Sequence, residues 1–285
     1  MTAVGLACLS ALLFGGMSVG VRIGLGRIAD TELAALATIL SALCIVLVSA
    51  AAEVPFRGVH AAAAWPFALA GLLSPGAAQL FVTLAIRDAG ASRSSVVLGT
   101  APLVAVTIAL LSLGEPFRAP LIVGAVLIVA GGIELARERD RPEHLRAAGL
   151  VFALAATVLF SIRDNLLRWL ARGTTVPPGT AVAAALIGGS VLIAVVTAPR
   201  LRGRPARDAL AFVPAGLFFG ASYVALFEAY YRGRVTVVSP LVATESLWGV
   251  LLSVLLLRHS ELVGRRLVIG AALIVAGGAL IGAFR

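Results

Sequence analysis

The chain of 285 residues is 60% hydrophobic and 13% charged, with a mean hydropathy of +1.03. Soluble domains run nearer 45–50% apolar and about 25% charged, so this composition excludes an ordinary soluble domain and predicts an all-α membrane protein with many spans. The formal charge of +9 comes from arginines at the ends of apolar runs, with no basic stripe interleaved with aromatics. That pattern excludes nucleic acid as a partner and points to membrane lipid headgroups.

Ten apolar segments follow one another: 3–22, 33–52, 66–87, 94–113, 119–136, 147–171, 179–198, 209–231, 235–257 and 264–284. A span needs about 20 apolar residues, and only helices or closed barrels satisfy their backbone in lipid. Runs this long and continuous predict helices. The N-terminal run has no basic leader and reads as the first span, not as a signal peptide. Its Gly16, Gly20 and Gly24 predict close helix packing, as do Gly216 with Gly220 and Gly278 with Gly282. Pro75, Pro102, Pro214 and Pro240 predict bends. Cys8 and Cys44 lie in apolar runs without metal-like spacing, and His60, His144 and His259 fall in loops without clustering. No disulfide, metal site or cofactor is expected.

The segment "ARERDRPEHLR" (136–146) lies near the midpoint, and the two sides of it repeat. "IVGAVLIVAGG" (122–132) and "VIGAALIVAGG" (268–278) agree at eight of eleven positions, offset by 146 residues. The same offset pairs Phe14 with Phe160, Arg22 with Arg168 and Glu115 with Glu261. An offset of 144 pairs Thr100 with Thr244 and Pro102 with Ser246, which implies two extra residues late in the ninth segment. Residues 2–137 and 147–284 then form two five-helix repeats. An odd helix number makes the second enter the membrane from the opposite side, an inverted architecture recurrent among secondary transporters.

With its two-times-five plan, its "LLFGG" and "VLFSI" openings followed by a later Arg, "GTAPLVAVTIALLSLGEP" and its "GAxLIVAGG" fifth helix, the chain resembles the EamA family of the drug/metabolite transporter superfamily. The second half departs from the pattern, with "RHSE" for the "GE" turn and Ser246 opposite Pro102. The resemblance implies a multi-pass protein of the bacterial inner membrane that moves amino acids, other metabolites, quaternary amines or drugs. It further implies a cavity lined by the first, third, fourth, sixth, eighth and ninth helices, and cytoplasmic termini. That orientation puts fifteen arginines outside and seven inside, against the positive-inside rule. Import versus export, and the oligomeric state, stay open.

Charges near span centres cost roughly 2.5–3.5 kcal/mol each and are functional candidates by default. In the sixth segment, Asp164 has Arg168 at i+4 as a helical partner. Arg163 has no acid at i±3 or i±4, and its neighbour Asp164 points about 100° away. Arg163 is left to pair across helices, reach headgroups, or line a wet cavity and hold a substrate carboxylate. Glu228 has Arg232 four residues on, a helix-end ion pair, with Tyr223, Tyr230 and Tyr231 around it as interfacial tyrosines. Glu245 has only Leu241, Val242, Trp248 and Gly249 as helical neighbours. It is protonated in apolar surroundings, paired with a cation such as Arg163, or open to a cavity. Trp248, one turn on, could add cation–π attraction for an ammonium group, and Gln79 a hydrogen bond.

These residues predict secondary transport of small organic metabolites, amino acids or similar zwitterions and amines, by alternating access. Protons are the candidate coupling ion and Glu245 the leading residue. The rivals are a quaternary-amine exporter of the same fold and a non-transporting membrane scaffold. No HExxH, GxSxG or GxGD-type cluster supports an intramembrane enzyme.

Overall fold

The structure, a computed structural model, describes residues 1–57, 61–89, 97–98, 100–137, 147–201, 204–257 and 265–284. Its regular elements are helical throughout these residues. In the first half they are α1 (Ala3–Arg27), α2 (Thr31–Arg57), α3 (Trp65–Gly71), α4 (Ala78–Ala89), α5 (Ala101–Ser112) and α6 (Ala119–Arg137). In the second they are α7 (Ala147–Gly173), α8 (Pro178–Thr197), α9 (Val213–Arg232), α10 (Val235–Val242), α11 (Glu245–Leu257) and α12 (Arg265–Phe284). Six stretches among the described residues are long and apolar enough to cross a membrane, and Ala101–Ser112, Ala119–Glu134 and Ile269–Ile281 are shorter apolar helices. His60, His144, His259 and Glu261 lie outside the described residues, as does the "RHSE" turn. Cys8 and Cys44 are free thiols.

Two segments expected as single helices are broken. The third is interrupted by a π-type turn at Leu72–Ala77, with a cis Ser74–Pro75 bond. Proline lacks an N–H and its ring crowds the preceding turn, so an i→i−4 ladder does not run through it. The ninth segment stops at Val242 and restarts at Glu245. The fourth has the matching feature. Thr100 Oγ1 donates to the Val97 carbonyl (2.6 Å), and Thr244 Oγ1 donates to that of Leu241 (2.7 Å). The Thr100 carbonyl accepts from Leu103 N at 3.0 Å, and the Thr244 carbonyl accepts from Leu247 N at the same distance. Every pair is related by 144 residues, the register read from the sequence.

Helix packing follows the same exchange of halves. α1 packs on α9 as α7 packs on α4; α2 packs on α9 as α8 packs on α3; and α1 meets α11 as α7 meets α5. The pairs α2 with α8 and α6 with α12 are each their own counterpart. Small residues make these approaches possible. A Cβ on Gly220 would lie 2.6 Å from the Ala42 carbonyl oxygen, and one on Gly131 2.6 Å from that of Gly270. At Gly16 the nearest atoms, at 3.0 Å, belong to the Phe218 ring, which can rotate. Gly278 meets nothing nearer than 3.8 Å, so its expected close packing is not seen. Gly220→Val should therefore lower stability by about 1–3 kcal/mol through overpacking against backbone, with Gly16→Ala much milder. Thermal midpoints of the two variants in detergent check the contrast.

Candidate functional site

The middle of α7 carries Thr157, Ser161 and Asn165 at four-residue spacing, and therefore on one face. Each reaches a carbonyl of the fourth span. Asn165 Nδ2 donates to Ala105 (2.9 Å) as well as to Ser161 of its own helix. The hydroxyls of Thr157 and Ser161 share their single protons between Val97 (3.2 Å) and Ala101 (3.0 Å) and the nearer own-helix carbonyls of Ala153 (2.9 Å) and Thr157 (2.8 Å). This zipper fixes the rotation of α7 and turns Arg163 and Asp164 towards the interior, where both are buried. On the opposite seam the half-exchange puts Gly15 where Ser161 stands. There α1 meets α11 through bare backbone, with a Cβ on Gly15 falling 2.7 Å from Gly249 N.

Arg163 and Asp164 do pair with each other. Arg163 Nη2 and Nε donate to Asp164 Oδ1 at 2.7 and 3.0 Å. The 100° separation of their Cβ directions, which argued against this, is overcome by the arginine's long stem curling back. Arg163 Nη1 donates to the Tyr223 hydroxyl at 3.1 Å, and the guanidinium lies over the rings of Phe160 (5.4 Å) and Tyr223 (5.8 Å). Asp164 Oδ2 accepts from Ser239 Oγ at 2.8 Å. The expected Asp164–Arg168 pair is not formed. Arg168 instead donates to the carbonyls of Tyr230 (2.8 Å) and Tyr231 (3.3 Å), at the end of α9, where a cation satisfies orphan carbonyls and the helix dipole.

Tyr223 and Tyr230 are fully buried, not interfacial. Tyr223 packs edge-on against Phe219 (4.6 Å) and Phe14 (5.8 Å). The Tyr230 hydroxyl lies near Asp164 and Ser239 without a hydrogen bond of ordinary geometry among the described residues. Tyr231 reaches the Val176 carbonyl at 3.0 Å.

Glu245 opens α11, immediately after the break in the ninth span. Its side chain is solvent-accessible, and it lies within electrostatic range of Arg163 and Asp164. Arg163 is already engaged by Asp164, so the local sum of Arg163, Asp164 and Glu245 in their charged forms is one negative charge. Trp248 follows one turn later and is half-buried, its backbone against Gly15.

The remaining candidates are set apart. Gln79 is half-buried near the start of α4, just past the break at Pro75. Glu228 forms the expected ion pair with Arg232 and lines an apolar groove between α1, α2 and α9. It is outside the central cluster. Ser239 was missed, since a small hydroxyl in an apolar run ordinarily bonds its own helix; the neighbouring Pro240 was the signal. No group of His, Cys, Asp and Glu among the described residues could hold a metal ion.

The sequence profile of the EamA-like transporter family matches residues 1–134 and 147–283, that is, both halves of the chain. The chain belongs to the EamA-like transporter family. This EamA protein is thus a multi-pass integral membrane protein of the drug/metabolite transporter type. Its fold is also that of a solved crystal structure with TM-score 0.80 and 22% identity, covering 99% of this chain and 96% of that one. In all, 29 solved chains match significantly, whereas no curated protein does.

Proposed function

We propose that this EamA protein is a secondary transporter of small organic amines in the bacterial inner membrane. Ten spans in two inverted repeats alternate access to a site between them, and the amine exchanges with a proton at Glu245. The observation that carries the reading is the accessible Glu245 carboxylate. It makes no ion pair or hydrogen bond among the described residues, and it stands at a helix break beside a cluster whose own charges cancel. Discontinuous helices are where transporters of this general plan place their substrates. An ammonium group would balance Glu245, with Trp248 available for cation–π attraction.

A zwitterion is the second reading. Of the five N–H groups of Arg163, three are used by Asp164 and Tyr223, and two are left for a carboxylate. Thermal stability of the purified protein against alkylamines, polyamines, quaternary amines and amino acids separates the two. Simple amines should stabilise it on the amine reading, and only α-amino acids on the zwitterion reading. No response to any cation would sink both.

A further inference from the structure

An opening lies at the end of the bundle that carries the N-terminus. It has a volume of about 380 Å³ and is walled by the start of α1 (Thr2 to Val4), by Arg118, and by Arg232, Arg234 and Val237. Among the described residues three arginines line it and no carboxylate does. Two of them are held by neutral groups that leave their charge intact. Arg118 Nη1 donates to the Phe284 carbonyl (3.1 Å) and Arg232 Nη1 to that of Met1 (3.1 Å). Arg232 is answered on its other side by Glu228. Arg234 makes no ion pair among the described residues. The nearby Glu115 is spent elsewhere. Its two oxygens accept from Val235 N (2.9 Å) and Thr236 N (3.0 Å), capping α10, and Arg172 stands 3.7 Å away.

Three guanidinium groups and one carboxylate leave a net charge of two in a concave site. Planar arginine forks match phosphoryl oxygens in geometry, and basic pockets between membrane helices bind anionic headgroups. We propose that this pocket is a phosphoryl-binding site that ties the two repeats together. Thr2 to Val4 and Arg118 come from the first half and Arg232 to Val237 from the second, so a bound anion would bridge them and hold this end closed. The site is separate from Glu245, and its test does not depend on transport.

The experiment is thermal unfolding of the full chain in neutral detergent with inorganic phosphate, with short-chain phosphatidylglycerol, and with phosphatidylcholine of the same chain length. At saturation, a phosphoryl ligand should raise the midpoint by roughly 5 °C. Arg118→Gln with Arg234→Gln should remove that rise. Arg118→Lys with Arg234→Lys should keep part of it, which separates lost charge from lost folding. A rise with phosphatidylglycerol alone identifies a lipid headgroup, one with phosphate alone a soluble phosphate, and one with both the phosphoryl group itself; each supports the site. The proposal is overturned if neither ligand stabilises, if phosphatidylcholine does as well as phosphatidylglycerol, or if the glutamine variant responds like the wild type.

Discussion

Glu245→Gln should abolish the response to amines while leaving the empty protein at least as stable. A buried, hydrogen-bonded charge pair loses about 2–5 kcal/mol when one partner is truncated. The low end, near 2.7 kcal/mol, is already about a hundredfold in affinity. At a concentration one hundred times the wild-type dissociation constant, the ligand contributes about 2.7 kcal/mol to wild type and about 0.4 kcal/mol to a variant binding a hundredfold more weakly. Melting curves resolve that difference. Without ligand the change of sign matters, because an uncompensated carboxylate deep in the bundle is an expense that glutamine removes. A scaffold would show this gain and no ligand effect. Proton competition adds a second signature. Binding to wild type should weaken as pH falls and Glu245 becomes neutral, and in the glutamine variant it should be flat. Retained amine binding in Glu245→Gln would remove Glu245 from the site.

The broad organisation was open to reading because it rests on long-range averages. Apolar runs of span length and an internal repeat survive uncertainty at any single position. The 144-residue register was legible for a more local reason, since Thr100 and Thr244 make the same bond three residues back. The Glu228–Arg232 pair was likewise readable, both partners being on one helix at fixed spacing. What failed required knowing which way a helix faces. Hydropathy gives the position of Tyr230 along its span and nothing about whether its side meets lipid or protein, so a fully buried tyrosine passed for an interfacial one. Pro75 and Pro240 announced the two breaks, but their exact places were hidden because an apolar run has the same composition whether or not it is continuous. At Pro240 the helix runs on to Val242, and the next one begins at Glu245, just after Thr244. The Arg163–Asp164 pair was lost by treating side chains as rigid vectors from Cβ.

Asp164→Ala should be the most destabilising single change in the central cluster. It removes the acceptor of two Arg163 bonds and of the Ser239 hydroxyl, and leaves a guanidinium that is 7% exposed with Tyr223 as its remaining polar partner among the described residues. Breaking a buried pair from one side costs about 3–5 kcal/mol, whereas replacing both partners by apolar residues of similar volume is often neutral. Arg163→Met with Asp164→Leu should therefore recover most of the loss, and a double-mutant cycle on melting midpoints measures the recovery. Function is expected to part from stability here. With Asp164 gone, Arg163 is free to turn to Glu245, and the cluster becomes neutral. Amine binding should then fall in Asp164→Ala and return in the double variant, where Glu245 is again the uncompensated charge. If the double variant were stable but blind to amines, the Arg163–Asp164 pair would itself contact the cargo. If Asp164→Ala were as stable as wild type, the pair would not be holding α7 to α9 and α10 at all.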